Sequence, residues 1–413
     1  MDWLNQSIMR QRGVAQGRTP DTHELNETLQ GKYHDTIGPS SDPVLKIRPG
    51  DRVVVETRDA FEGKVKTEQD LPSRVLSMPF VNPQNGHILV EGAQKGDVLA
   101  VYIEKMAPRG ANPRGTCAMI PQFGALSGTS LTALLAQDLP EIVRKIDLDE
   151  DGVYWSQRVT LPYRPHIGTL SCSPEIDSIN TLTPDSHGGN MDLPDMGPGS
   201  ITYLPVRTEG GRLFIGDAHA CQGDSEVCGT AVEFASTTTI QVDLIKGWQM
   251  EWPRLENEAV IMAIGSARPL EDATRIAYKE LILWMEAEYG HDRWDAYMRL
   301  SQCGQVRLGN FVDPKYTVGA GISKKYLEPD RDGQPVILQD GAGPEPHRPH
   351  RNAARAGQRG GLLVQPGSEL HHQHQLGGRR CADQGRAVVG SGALKLASEW
   401  HVAERHRENL HDA

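Results

Sequence analysis

The stretch Val44-Leu45-Lys46-Ile47-Arg48-Pro49-Gly50-Asp51-Arg52-Val53-Val54-Val55-Glu56 decides the fold class. Two runs rich in β-branched residues flank a Pro-Gly-Asp turn, which is a strand–turn–strand signal. A similar phrase returns at Ile88-Leu89-Val90-Glu91-Gly92-Ala93-Gln94-Lys95-Gly96-Asp97-Val98-Leu99-Ala100-Val101-Tyr102-Ile103, again with Gly-Asp ahead of an apolar run. One echo is not a repeat array. Both copies read as hairpins of a β-sandwich or barrel.

Outward from these phrases, residues 1–40 are polar with few apolar anchors and read as an N-terminal arm lying over the surface. A further β block runs from Val159 to about Val242 and includes Ser200–Val206, Arg212–Ile215 and Thr237–Val242. Leu131–Ile146 reads as helical around Leu134, Leu135, Ile142 and Val143, interrupted at Pro140. The clearest helix is Leu270–Tyr289, whose Ala273, Ile276, Ala277, Leu281, Trp284 and Met285 share one face, with Gly290 placed to end it. A shorter helix over residues 292–303 has Asp292 as its cap. The fold class is therefore mainly β with some α. Strand and helix do not alternate regularly, which disfavours a doubly wound sheet.

The chain has 413 residues and a formal charge of −11. It has no apolar stretch of the roughly 18 residues that a membrane-spanning helix needs. The N-terminal text lacks a cationic start and an apolar run, so no secretory signal is read there. Six Cys at irregular spacings form neither a disulfide framework nor a paired zinc ribbon, which points to a reducing, cytoplasmic compartment. Net negative charge argues against nucleic acid as a partner. Composition breaks near Asp330. Residues 331–413 hold no Phe, Tyr or Met, 8 of the 15 His, and 10 Arg against the single Lys395. This Arg/His/Gly-rich tail reads as a disordered extension, as a His tract around His371, His372 and His374, or, our preferred reading, as out-of-frame text from a GC-rich gene. No chemistry is assigned to it.

The densest polar text is Gly216-Asp217-Ala218-His219-Ala220-Cys221-Gln222-Gly223-Asp224-Ser225-Glu226-Val227-Cys228-Gly229, directly after an apolar strand. Asp217 and His219 are two apart and share a face in extended chain, a workable pair for a cation, with Gln222, Asp224 and Glu226 available as further ligand or general base. A polar turn whose carboxylates cap backbone donors is the alternative. His187-Gly188-Gly189-Asn190-Met191-Asp192 similarly sets Asn190 and Asp192 on one face, or else forms an Asx-rich turn. Asp59, in Glu56-Thr57-Arg58-Asp59-Ala60-Phe61, ends a strand and reads as a solvated carboxylate on sequence alone. His166 sits beside apolar residues as a structural histidine. Cys221 and Cys228 lie among carboxylates, which raise a thiol's pKa and favour buried, inert roles. The chain has no Gly-x-Ser-x-Gly elbow, P-loop or Gly-x-Gly-x-x-Gly.

Taken together these segments resemble the acetamidase/formamidase family. The run from Asp217-Ala-His219 through Gln222-Gly-Asp224-Ser225-Glu226 to Gly229-Thr-Ala-Val-Glu233 matches its signature, GD-x-HA-x-(Q/M)-GDGE-x-x-GTA-x-E. Glu56-Thr-x-Asp59-Ala, Asn82-Pro83, Gly96-Asp97, His187-Gly-Gly-Asn190-Met-Asp192 and Tyr203-Leu204-Pro205-Val206 follow in the family's order, from about residue 30 to Leu327. The resemblance implies a β-sandwich or barrel-like fold with a smaller α+β part over residues 41–330. It also implies hydrolysis of formamide or acetamide to a carboxylic acid and ammonia by a metal-activated water in a homo-oligomer. The implied cofactor is a divalent metal, zinc first, with calcium as an accompanying ion. The family carries the following positions, to which we assign roles: Asp59, Asp192, Asp217 and His219 as metal ligands or the residues immediately around them, Glu226 as general base and acid, and Asn190 and Gln222 to hold the substrate amide or the oxyanion. The alternatives are an amidase using Cys221 as nucleophile, or an amide-binding β-sandwich without activity. Two departures stand out. Ser225 replaces the family's Gly, at a cost of roughly 1 kcal/mol or more if that position needs φ > 0. Gly86-His87-Ile88 replaces Gly-Pro-Ile.

Overall fold

In the computed structural model, which describes residues 3–126 and 139–327, Leu45–Ile47 and Arg52–Glu56 are both strands, but they do not pair with each other. Leu45–Ile47 runs parallel to Gln84–Val90, whereas Arg52–Glu56 lies between Thr22–Leu25 and Ser236–Ile245. The turn between them is a corner. Gly50 takes φ 88°, the Asp51 N–H returns to Arg48 O at 3.1 Å, and Asp51 Oδ2 accepts from the Arg48 N–H at 2.9 Å. The second phrase builds the same corner with Gly96 at φ 93° and Asp97 Oδ2 accepting from the Gln94 N–H at 2.8 Å. It carries the chain from Gln84–Val90 to Val98–Pro108. The two expected hairpins are thus crossings between sheets. A Gly-Asp turn fixes a tight bend, but strand partners are chosen by the apolar faces that must be buried.

The nine-stranded sheet runs in the order Thr22–Leu25, Arg52–Glu56, Ser236–Ile245, Val98–Pro108, Ile201–Pro205, Arg254–Glu256, Val260–Ala267, Tyr316–Ser323, Gln305–Leu308. The five-stranded sheet runs Gly188–Asn190, His166–Ser171, Leu213–His219, Gln84–Val90, Leu45–Ile47. Both sheets are open, so the architecture is a sandwich and not a closed barrel. Side chains alternate across the larger sheet. Leu99, Val101 and Ile103 pack with Ile88, Val90, Leu213 and Ile215 of the smaller sheet. Their neighbours Val98 and Ala100 face the other way, onto Ala277, Leu281 and Trp284. Those three belong to the helix Leu270–Tyr289, which has the bounds read from sequence and closes at Gly290 in the left-handed conformation. Asp292 caps Arg293–Cys303, accepting from the Trp294 and Asp295 N–H groups. Truncating the fully buried Trp284 to Ala would cost about 3–5 kcal/mol.

Two other expectations need correction. The proposed helix ending at Ile146 is instead, over Ile142–Asp147, a strand paired antiparallel with Arg114–Met119; Leu134 and Leu135 lie outside the described residues. The β-branched Ile142-Val143 pair and Ile146 suit a pleated surface. The arm over residues 1–40 is not merely superficial. It places Ile8 and Met9 in the core under the long helix and supplies the edge strand Thr22–Leu25. The tail at 331–413 lies outside the described residues.

Candidate active site

The strand Leu213–His219 runs through the middle of the five-stranded sheet, buried along its whole length, and delivers Asp217 and His219 into the interior. Asp192 follows the edge strand Gly188–Asn190, Glu226 sits in the short turn Asp224–Glu226, and Glu233 forms bridges to both Thr116 and His219. Ligand atoms of Asp192, Asp217 and His219 lie within 4.8 Å of one another, as do those of His219, Glu226 and Glu233. The two groups share one imidazole. Three of the contributors hold left-handed backbone, Asp192 (φ 48°), Asp217 (φ 60°) and Glu226 (φ 49°), and so does Ser225 (φ 79°) beside Glu226. Non-glycine residues keep such conformations only where their surroundings impose them, and they concentrate at functional sites.

The orientation of His219 is fixed from behind. Gln222 Nε2 donates to Asp192 O (2.7 Å) and Gly309 O (2.9 Å). Its Oε1 therefore faces His219 Nδ1 at 2.8 Å and His166 Nε2 at 3.0 Å. With Nδ1 donating to Gln222 Oε1, the ring turns Nε2 toward Asp217 Oδ1 (3.3 Å) and Glu233 Oε2 (3.2 Å). Among the described residues, and the His219 contact apart, Glu233 Oε2 and Asp192 Oδ1 are buried and accept no hydrogen bond. Gly168 faces the same point. A Cβ there would come within 2.5 Å of both Asp192 Oδ1 and Asp217 Oδ2, so only glycine leaves the space between them open.

Asn190 is equally committed. Its Nδ2 donates to Asp192 Oδ2 (2.8 Å) and Asp313 Oδ2 (2.7 Å), and its Oδ1 accepts from Asn82 Nδ2 (3.0 Å) and Thr169 Oγ1. Asn190 and Gln222 are therefore braces for the carboxylates and imidazole, not free amides awaiting substrate. Asp59 stands apart from the cluster. Its Oδ1 accepts from the Phe61 (3.1 Å) and Gly63 (2.8 Å) N–H groups and shapes the rim of the cleft. His166, read as structural, is fully buried and stacks edge-on against His219 with ring centroids 4.9 Å apart. Glu233 and Asp313 were not singled out from the sequence. Glu233 closes the signature, which was the available signal; Asp313 sits in a Val-Asp-Pro context with no local mark of chemistry.

Charge is badly out of balance. Asp192, Asp217, Glu226, Glu233 and Asp313 are all at most 7% exposed. Burial, then the neighbouring acids, push Asp192 well above the usual carboxylate range, and burial likewise raises Glu226. Glu233 and Asp313 are pushed by burial up to about 7. Burial opposes the charge on His219, yet Glu233 and Asp217 outweigh it and hold the imidazole well above its ordinary range. Burial would raise Asp217 too, but His219 keeps it low. One imidazolium cannot compensate five dry carboxylates. Unpartnered oxygens, a nitrogen aimed among them and a glycine leaving room fit a divalent cation.

The cluster floors a cleft where Asn190, Asp217, Glu226, Glu233 and Asp313 meet an apolar wall that includes Phe61, Leu76, Met78, Val81, Ile120 and Phe123. Cys221 packs against the core and is not part of this lining, and burial raises its thiol.

The profile of the acetamidase/formamidase family matches residues 18–180 and 176–314. The chain belongs to the acetamidase/formamidase family. An acetamidase structure from Yersinia enterocolitica superposes with a TM-score of 0.78 at 70% identity, covering 79% of this chain and 99% of that one. An acetamidase from Mycolicibacterium smegmatis is 34% identical over 322 residues, 64% of this chain and 77% of the relative. A formamidase from Methylophilus methylotrophus is 27% identical over 271 residues, 52% of this chain; the match spans 65% of the formamidase's length. Against the family signature, Ser225 does occupy a positive-φ position, and the Gly86–His87 peptide, where the motif has Gly-Pro, is cis.

Proposed function

We propose that this family member hydrolyses small linear amides, formamide or acetamide, to the carboxylic acid and ammonia. The carrying observation is the acidic, charge-deficient cluster with unpartnered Asp192 Oδ1 and Glu233 Oε2 at the floor of an apolar-walled cleft. Asp192, Asp217 and His219 would hold a divalent metal there, and one nitrogen with carboxylate oxygens suits zinc. Such an ion supplies Lewis acidity and lowers the pKa of water from 15.7 to about 7.

The chain's own groups do the rest. Gln222 and His166 hold the His219 ring, and Asn190 holds Asp192 and Asp313 in register. Glu226, buried at the cleft floor and raised by that burial, takes a proton from the attacking water and returns it to the nitrogen as the C–N bond breaks. The apolar wall receives the acyl methyl group and limits the amides admitted. Reduced thiols at all five described cysteines support a reducing, cytoplasmic setting. The helix face carrying Trp294, Tyr297 and Met298, each at least 60% exposed, supports a homo-oligomer. Among the described residues no helix is long and apolar enough to cross a membrane.

The test is ammonia release from formamide and acetamide by the purified protein, with chelated and metal-restored samples in parallel. Loss on chelation and recovery with a divalent ion is the expected result. Activity indifferent to a tight chelator overturns the metal-water reading, and amide binding without ammonia release overturns the enzymatic one.

A further inference from the structure

Cys117 and Cys228 are 111 residues apart in sequence, yet their Sγ atoms lie 4.0 Å apart. Cys117 is on the strand Arg114–Met119; Cys228 follows the turn Asp224–Glu226 that carries Glu226. The two segments are tied side by side. The Ala118 N–H donates to Thr230 Oγ1 at 2.9 Å, that hydroxyl donates to Ala118 O at 3.0 Å, and Thr116 and Glu233 exchange backbone bonds of 2.8 and 2.9 Å. Both thiols are half-buried, so a small oxidant reaches them while a protein partner does not. A disulfide requires an S–S distance of about 2.05 Å, and each sulfur needs to move only about 1 Å to reach it.

We propose that Cys117 and Cys228 form an oxidation-responsive dithiol that reversibly staples the Glu226 turn to the strand beside it. With hydrogen peroxide as oxidant, one thiol attacks a peroxide oxygen, giving a sulfenic acid and releasing water. The second thiol then displaces the sulfenic oxygen as a second water, and the S–S bond forms. Two thiols are oxidised, one peroxide is reduced, and a dithiol reductant reverses the step. Cys228 immediately precedes Gly229 and Thr230, which line the cleft, so drawing its sulfur toward Cys117 moves the cleft wall. The staple itself is independent of the amidase reading; its effect on turnover rests on that reading.

The test treats reduced full-length protein with a small excess of hydrogen peroxide, followed by non-reducing digestion and mass spectrometry. The expected result is one peptide pair joined through Cys117 and Cys228, lost on treatment with dithiothreitol. Cys117→Ser should abolish it and leave Cys228 to advance to sulfinic acid, whereas Cys221→Ser should retain it. A crosslink through other cysteines, or irreversible oxidation of Cys228 while Cys117 stays reduced, overturns the proposal. Ammonia release should fall severalfold on oxidation and recover on reduction in the wild type, with no recoverable loss in Cys117→Ser. A staple that forms without changing turnover overturns its coupling to the cleft. A staple that forms in a protein releasing no ammonia even when reduced sinks the amidase reading and leaves the dithiol standing.

Discussion

Asp51, at the corner between the sheets, and Asp217, on the cleft floor, are both nearly inaccessible carboxylates, 1% and 3% exposed. Their surroundings differ in kind. Asp51 meets a donor at every turn: Arg18 Nη2 (2.5 Å) and the Asp21 N–H (3.0 Å) on Oδ1, the Arg48 N–H (2.9 Å) and His23 Nε2 (3.1 Å) on Oδ2. Burial works against its charge, but these donors hold it down at about 2. Around Asp217 the neighbours are His219 and other acids, and among the described residues Asp192 Oδ1 and Glu233 Oε2 accept no hydrogen bond. An acid kept for architecture has its donors built in. A cluster of acids short of donors, in a dry interior, is completed by a cation from outside.

The sharpest way to break this contrast is to neutralise one member of each site. Asp217→Asn should lower amide turnover on the order of 10³-fold, because it removes a ligand together with the carboxylate that faces His219 Nε2. A variant with near-normal ammonia release would contradict the assignment. Gln222→Leu removes no charge and no ligand, but frees the His219 ring. It should weaken metal binding by about 10–100-fold, read by calorimetric titration of metal-stripped protein. Unaltered affinity would mean that Gln222 only supports the fold.

Asp51→Asn should act on stability alone. The folded group at about 2 lies below its ordinary value of 3.8, so its contribution is present above pH 4 and is lost as pH falls toward 2. The difference corresponds to about 2 kcal/mol. Denaturant titrations at pH 7 and pH 3 should show the wild type losing about half of this increment and the variant lacking it at both; parallel pH curves would refute the account. The smallest effect is at Ser225. Its φ of 79° suits glycine, so Ser225→Gly should add about 1 kcal/mol of stability and raise turnover modestly by relaxing the turn under Glu226. No gain in melting temperature would mean that the turn holds serine without strain.

The same contrast explains what was legible in the sequence. Strands, the long helix and its Gly290 terminus follow from periodicity and local punctuation, which act over a few residues. The Arg48–Asp51 and Gln94–Asp97 turns were legible as turns, but not as crossings. Arg52–Glu56 finds its antiparallel partner in Ser236–Ile245, nearly half the chain away, and no local pattern encodes that choice. At the site, Asp217, His219 and Glu226 were accessible because they crowd one short polar run. Asp313 and His166 arrive from distant, unremarkable contexts through packing alone. The exchange of roles at Asn190 and Gln222, from substrate binders to braces, depends on which backbone carbonyls and carboxylates surround each amide, a property of the tertiary structure. Asp59 reads on sequence alone as a solvated carboxylate; in the fold its Oδ1 caps the N–H groups of Phe61 and Gly63, and Phe61 lines the cleft.

The most direct test of the cation site adds a single carbon where the structure leaves room for none. Gly168 does not have a positive φ, so Gly168→Ala adds no backbone strain, yet its Cβ would sit 2.5 Å from Asp192 Oδ1 and Asp217 Oδ2. Elemental analysis of purified wild type and variant, with circular dichroism to establish that both are folded, should find near-stoichiometric divalent metal in the first and little in the second. Equal metal content in the two proteins, or an active wild type free of metal, would contradict the account.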